Sequence, residues 1–238
     1  MRHWRTLLTG LVVGLLAGLS LAEPAGEGYS PVVPPASVHA ALQSTLKTVQ
    51  DWLADKDYAS AAEAGQALTA LAHLYTYQGS QPAWREKTTA LAETSTRLTA
   101  AAQKKDAAAC ARLAQECGRL LEDLAGSSPG DRPVEKGFRP HGSTKTWMTL
   151  MDWAYGDAKT AKQPQELEQL AGAIAEEVNA VQFQRTEARW QQSSLDVRSA
   201  ALEVAEKAKG KDLAAAKAAL KTVYSRCEAC HEGYRRRP

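Results

Sequence analysis

The stretch YQGSQPAW at 77–84 aligns with FQRTEARW at 183–190, which sets Trp84 on Trp190 at an offset of 106 residues. The same offset puts Lys105-Asp106 on Lys211-Asp212. Earlier in each half, KTVQDW (47–52) pairs with MTLMDW (148–153) at an offset of 101, so the second half carries five extra residues near TAKQP. A chain whose halves repeat in order folds as two copies of one unit, and a tandem duplication is the expectation here. Between the copies lies GSSPGDRPVEKGFRPHG (126–142), whose three prolines and four glycines exclude a helix. It reads as a linker.

Each copy is alanine-rich, full of strong helix formers and poor in β-branched runs, so the fold class is all-α. In the second copy the helical segments fall at about 143–157, 165–183, 187–208 and 212–234, divided by AKQP, QRT and KGKD. Four amphipathic segments with short joints pack as an antiparallel bundle. Two tandem four-helix bundles follow, at 36–125 and 143–238.

The chain opens with MRHWRTLLTGLVVGLLAGLSLAEPAG: basic Arg2 and Arg5, an apolar run from Leu7 to Ala22, and the small-x-small exit Ser20-Leu21-Ala22. This is the pattern of a secretory signal peptide over 1–22, with cleavage after about Ala22. The run of about 15 apolar residues is short of the roughly 20 that cross a bilayer. Residues 23–35, rich in Pro and Gly, read as a disordered tether. Loss of the leader leaves 27 basic against 27 acidic residues, so no nucleic-acid partner is expected.

One cluster carries chemistry. Cys227-Glu228-Ala229-Cys230-His231 fits the attachment pattern of c-type haem, in which two thiols bond the macrocycle and the adjacent imidazole ligates iron. Helix positions three and four apart share a face, so both thiols and the ring converge on one group. Leu213, Ala216, Leu220 and Val223 continue the same stripe toward the chain start, which predicts that Cys227, Cys230 and His231 face the bundle interior. The export signal agrees, because such haem is attached outside the cytoplasm. A thioredoxin-like redox pair would need a βαβ context. A zinc site would need a second ligand pair, for which only Cys110 with Cys117 is available, and a disulfide across three helical residues is strained.

CEACHEGYRR on the last helix of a four-helix unit resembles cytochrome c', the class II cytochromes c. The resemblance covers roughly 143–235, with a weaker echo over 36–124. It implies one covalent haem c held by Cys227, Cys230 and His231, with Tyr234 and Arg235 as the aromatic-basic pair that follows the motif. It also implies that the residue opposite His231 lies on the first helix of the unit. There KTWMTLM (145–151) matches the family pattern and sets Met148 opposite the iron. Where the family often carries an arginine one turn earlier, this chain has Thr144. A methionine in that place goes with electron transfer to a redox partner protein. An open place goes with binding of small gases such as nitric oxide. Elimination narrows the ligand independently: of three methionines Met1 leaves with the leader, so Met148 and Met151 remain, with His141 as the main rival. The apolar neighbours Trp147, Leu150 and Trp153 are expected to exclude water from the iron. His39 and His73 read as ordinary structural residues.

The first copy lacks the motif. In one register Leu121, Leu124 and Ala125 replace the two cysteines and the histidine; in the other, Cys117, Leu120 and Leu121 do. Lys47 stands in place of Met148. The first bundle is therefore read as haem-free. Seven residues of straight helix separate Cys110 from Cys117 by about 10.5 Å of rise, too far for a disulfide, so both read as buried free thiols. The reading that emerges is a periplasmic carrier with axial His231 and Met148 rather than an enzyme. It docks a partner through the haem-free copy, or forms a homodimer or a pseudo-dimer of the two repeats.

Overall fold

A computed structural model describes residues 28–235, the last of these, Arg235, as backbone only. The leader, residues 23–27 of the tether, Arg236, Arg237 and Pro238 lie outside the described residues. Eight helices carry the described chain: α1 (Pro35–Ala54), α2 (Tyr58–Thr76), α3 (Pro82–Gln103), α4 (Ala107–Ala125), α5 (Thr144–Thr160), α6 (Pro164–Val181), α7 (Ala188–Lys209) and α8 (Leu213–Arg235). Helices α1, α3 and α6 begin on proline, whose missing N–H and fixed φ suit a first turn. Helices α2, α4 and α5 begin on Asp57, Asp106 and Ser143, each accepting a backbone N–H three residues on. Asp212 does the same for α8.

Three of the joints are one device. Lys56, Lys105 and Lys211 take left-handed φ values of 60°, 56° and 62°. Each lysine N–H donates three residues back, and the following aspartate N–H five residues back, closing a helix C-terminus while that aspartate caps the next helix. The joints after α3 and α7 are the Lys-Asp pairs that the repeat alignment superposes. So are Trp84 and Trp190, each of which donates its indole N–H to a carbonyl nine residues earlier, at 3.1 Å.

Within the first unit α1 packs on α2, α2 on α3, α3 on α4, and α4 returns to α1. The second unit repeats this order but does not close: α5 and α8 barely touch. The two units meet through α1 against α6 and α2 against α5, a reciprocal arrangement of equivalent helices. Gly172 allows the close crossing of α1 and α6, because a Cβ there would lie 2.5 Å from the Ser37 hydroxyl.

The last part of the expected tether is not a tether. Gly28–Tyr29 pair antiparallel with Glu135–Lys136 of the linker, and Tyr29 is fully buried. Its ring stacks on Phe138 at 4.2 Å, with Tyr77 and Phe183 edge-on around the pair. Tyr77 and Phe183 are the aligned aromatics of the two repeats. The Tyr29 hydroxyl donates to Glu176 Oε1 at 2.6 Å and accepts from Gln78 Nε2 at 3.0 Å, while the N–H groups of Val32 and Val33 donate to Glu176 Oε2. Composition suggested disorder, but buried apolar contacts and a carboxylate waiting for donors order the segment. The linker is likewise packed, its Pro129 carbonyl accepting from Ser80 and Gln81 N–H.

Since one hydroxyl ties Gln78 of the first unit to Glu176 of the second, Tyr29→Phe is expected to cost about 1–3 kcal/mol. Urea unfolding followed by far-UV circular dichroism measures this, and an unaltered midpoint would refute the bridging role.

Candidate functional site

Helix α8 is alanine-rich and holds its place through Ala216, Leu220 and Val223, which are 0%, 3% and 1% exposed. The stripe does not stay buried as the sequence predicts. Cys227 and Cys230 are half-buried and His231 is exposed. The reason is the missing closure against α5, which leaves the C-terminal half of α8 beside a gap rather than a neighbour.

The last turn is pinned to α7 instead. Tyr234 meets Trp190 edge-on at 5.6 Å, and the Arg185 guanidinium lies 5.1 Å from the Trp190 ring and 5.7 Å from that of Tyr234. Arg189 sits 5.9 Å from the Tyr234 ring. Gly233 permits this, because a Cβ there would overlap the Arg189 guanidinium. Cation–ring contacts of this kind contribute about 0.5–1 kcal/mol each where water reaches them.

The gap is a slot. Met148, Met151 and Tyr155 line it from α5 at steps of three and four, facing Val223, Cys227 and His231 of α8. Its volume is about 560 Å³, within the roughly 300–1,000 Å³ of cofactor-sized clefts. Ile174 of α6 forms its floor. A smaller hollow behind the cysteines is walled by Val178, Val181, Trp190 and Val197, and it too is bordered by both methionines, both cysteines and His231. Trp147, Leu150 and Trp153, expected to shield the iron, do not line the slot. Trp147 lies fully buried toward α2, and Leu150 and Trp153 face α1 and α6. Tyr155 and the α6 and α7 valines stand there instead. Tyr155 was legible as the residue seven beyond Met148, whereas the valines carry no local signal.

In the first unit the equivalent helix pair, α1 and α4, leaves a cleft of about 410 Å³ beside Leu53, Tyr58 and Cys110, toward the N-terminal end of α4. Along the C-terminal half of α4, Leu46, Val49, Cys117, Leu121 and Leu124 are buried, so apolar side chains pack the stretch of seam that the second unit leaves open. Cys110 and Cys117 are buried free thiols, and burial pushes Cys117 up to about 12.

Cys227 and Cys230 are free as well. Burial, reinforced by the neighbouring Cys230, pushes the Cys227 thiol up to about 11. Burial raises Cys230 too, opposed by a hydrogen bond with the Ser193 side chain and by the Arg189 charge. The residues present fit a haem c: two unpaired thiols one turn apart on one face, an accessible imidazole on the next residue, and an apolar slot facing all three. Among the described residues no cluster of three His, Cys, Asp or Glu is arranged to hold a bare metal ion. His141 is not at the slot; its ring stacks on His73 at 4.1 Å, in a separate pocket with Trp147. His39 pairs with the Tyr75 hydroxyl at 3.2 Å. Arg235 ends α8, and its side chain lies outside the described residues.

Residues 182–235 match the family model described as cytochrome C'. The match spans α7 and α8, hence Trp190, both cysteines, His231 and Tyr234, but not the helix that carries Met148. No curated protein and no solved structure matches the chain.

A Cys227 thiol raised to about 11 leaves only about one molecule in a thousand as thiolate at pH 8. In the haem-free polypeptide, iodoacetamide is expected to label Cys227 roughly two hundred times more slowly at pH 8 than a cysteine in an unfolded peptide. The difference should close as pH rises toward 11 or when urea is added. Peptide mass mapping reads the order, and equal labelling of all four cysteines without denaturant would contradict it.

Proposed function

From the match of residues 182–235 to the cytochrome C' family model we propose that the chain is a periplasmic electron carrier with one haem c. Cys227 and Cys230 would hold the group covalently, and His231 and Met148 would ligate its iron. The haem supplies one-electron redox chemistry when bound. The observation that carries the reading is that His231 of α8 and Met148 of α5 border the same slot from opposite walls. The thioether of Met148 would favour the reduced metal and raise its potential. Met151, one turn on, also borders the slot; it serves as apolar wall. Tyr155, Ile174 and Val178 exclude water from the interior side, while the exposed position of His231 leaves an edge open toward a redox partner. The chain acts as a carrier and not as an enzyme.

The first unit is the cofactor-free copy of a tandem duplication. The matching tryptophan hydrogen bonds, the Lys-Asp joints and the reciprocal packing of α1 on α6 and α2 on α5 support that view. It takes the place that a second subunit would occupy in a symmetric dimer, so the chain forms a pseudo-dimer within itself.

Expression with its leader in a host that matures c-type cytochromes is expected to yield a polypeptide heavier by one haem. The iron should be low-spin and indifferent to carbon monoxide. Met148→Leu should keep the covalent haem but turn the iron high-spin and responsive to carbon monoxide, while Met151→Leu should leave the spectrum unchanged. Optical spectroscopy distinguishes these outcomes. A wild-type protein that is already high-spin would replace electron transfer with the binding of small gases such as nitric oxide.

A further inference from the structure

A second cavity lies between the two units, where α1 crosses α5 and α6. It has a volume of about 380 Å³ and is lined by neither cysteine of the motif nor His231, though Asp152 and Gly156 of α5 border both it and the slot. Its deepest polar group is Glu177, 1% exposed, whose Oε2 has no hydrogen-bond partner. The contrast with the preceding residue is informative. Glu176 is equally buried, but its oxygens receive the Tyr29 hydroxyl, two backbone N–H groups and the Asn179 amide. Burial raises Glu177 well above the ordinary carboxylate range, with no donor or charge opposing the shift. A buried carboxyl without a partner is among the least favourable groups a fold can hold.

The other walls are consistent with one class of occupant. Helix α5 adds Asp152 and Asp157, α1 adds the hydroxyls of Ser44 and Thr45, and no lysine or arginine lines the cavity. Three carboxyl groups therefore share one hollow without a countercharge. Trp52 of α1 and Trp153 of α5 complete the rim, and Trp52 is 38% exposed, unusual for so large an apolar side chain. An anion would be repelled by the carboxylates. A bare metal ion lacks a suitable set of ligands among the described residues. A group that brings both positive charge and N–H donors would satisfy Glu177, and the indole faces offer an apolar surface to its carbon skeleton.

We propose that this cavity is a binding site for a primary alkylammonium compound, whose ammonium donates to Glu177 Oε2 and whose alkyl part rests against Trp52 and Trp153. The site meets the haem slot only at Asp152 and Gly156 of α5 and does not depend on which ligand faces His231.

The test uses the full haem-loaded chain titrated with n-butylammonium chloride at constant ionic strength, followed by calorimetry and tryptophan fluorescence. Binding should be saturable. Glu177→Gln, which keeps the shape and removes the charge, should weaken it by about tenfold or more. Trp52→Ala, at the exposed rim, should weaken it severalfold, and both variants should retain the parent haem spectrum and helical content. Tetramethylammonium chloride, which has no N–H, should bind more weakly than butylammonium. The proposal is overturned if butylammonium gives no saturable signal, if Glu177→Gln or Trp52→Ala binds as the parent does, or if sodium, potassium or tetramethylammonium reproduces the response. Were Glu177→Gln not to fold, the Trp52→Ala and tetramethylammonium comparisons would decide between the same two outcomes.

Discussion

The gap between α5 and α8 governs the rest of the second unit. Four amphipathic helices ordinarily close on one another, because each apolar stripe left facing water forfeits burial energy. Here the polypeptide stops one contact short. The α8 stripe is buried through Val223 and then carries two thiols and an imidazole along the edge of an apolar slot. Met148 and Met151 face that slot from the other side, so a hydrophobic group that fills it completes the bundle and gains ligands in one step. The first unit packs the corresponding stretch with Leu46, Leu121 and Leu124, and there α4 returns to α1.

An open seam weakens a bundle, and the fold offsets this elsewhere. The Trp190–Tyr234 contact and the two arginines over it hold the end of α8 on α7. Across the molecule, α1 and α2 of the closed unit brace α6 and α5 of the open one. Tyr29 and Phe138 then plug the junction, with one hydroxyl shared between Gln78 and Glu176. The closed copy thus acts on the site only through α5 and α6, the two helices that form the far wall and floor of the slot. The same bracing encloses Glu177, whose missing partner is a consequence of helices from two units meeting at one hollow.

Much of this was legible in the amino acids. The Lys-Asp joints, the prolines that open α1, α3 and α6, and the Pro/Gly break are local signals, and helix limits read from them fall within a few residues of those observed. The CxxCH spacing pointed on its own to the family whose model matches residues 182–235, since it is a statement about one helical face. The shielding residues were misassigned for the opposite reason. Trp147, Leu150 and Trp153 are apolar like Met148 and Met151, and a run apolar on several faces does not say which face meets α8 and which meets the other unit. The tether was misread because Pro and Gly content describes the unfolded preference of a segment, while Tyr29 and Val33 answer to pockets made by residues more than a hundred positions away.

Helix content, the CxxCH motif and the short roster of candidate ligands follow from patterns within a few residues along the chain, and these a linear string contains in full. The open seam, the choice of walls around it, the ordered N-terminal segment and the stranded Glu177 depend on contacts between helices distant in sequence. Their geometry is set by how two similar but unequal bundles pack against each other, a balance of burial over the whole surface that no single stretch of residues encodes.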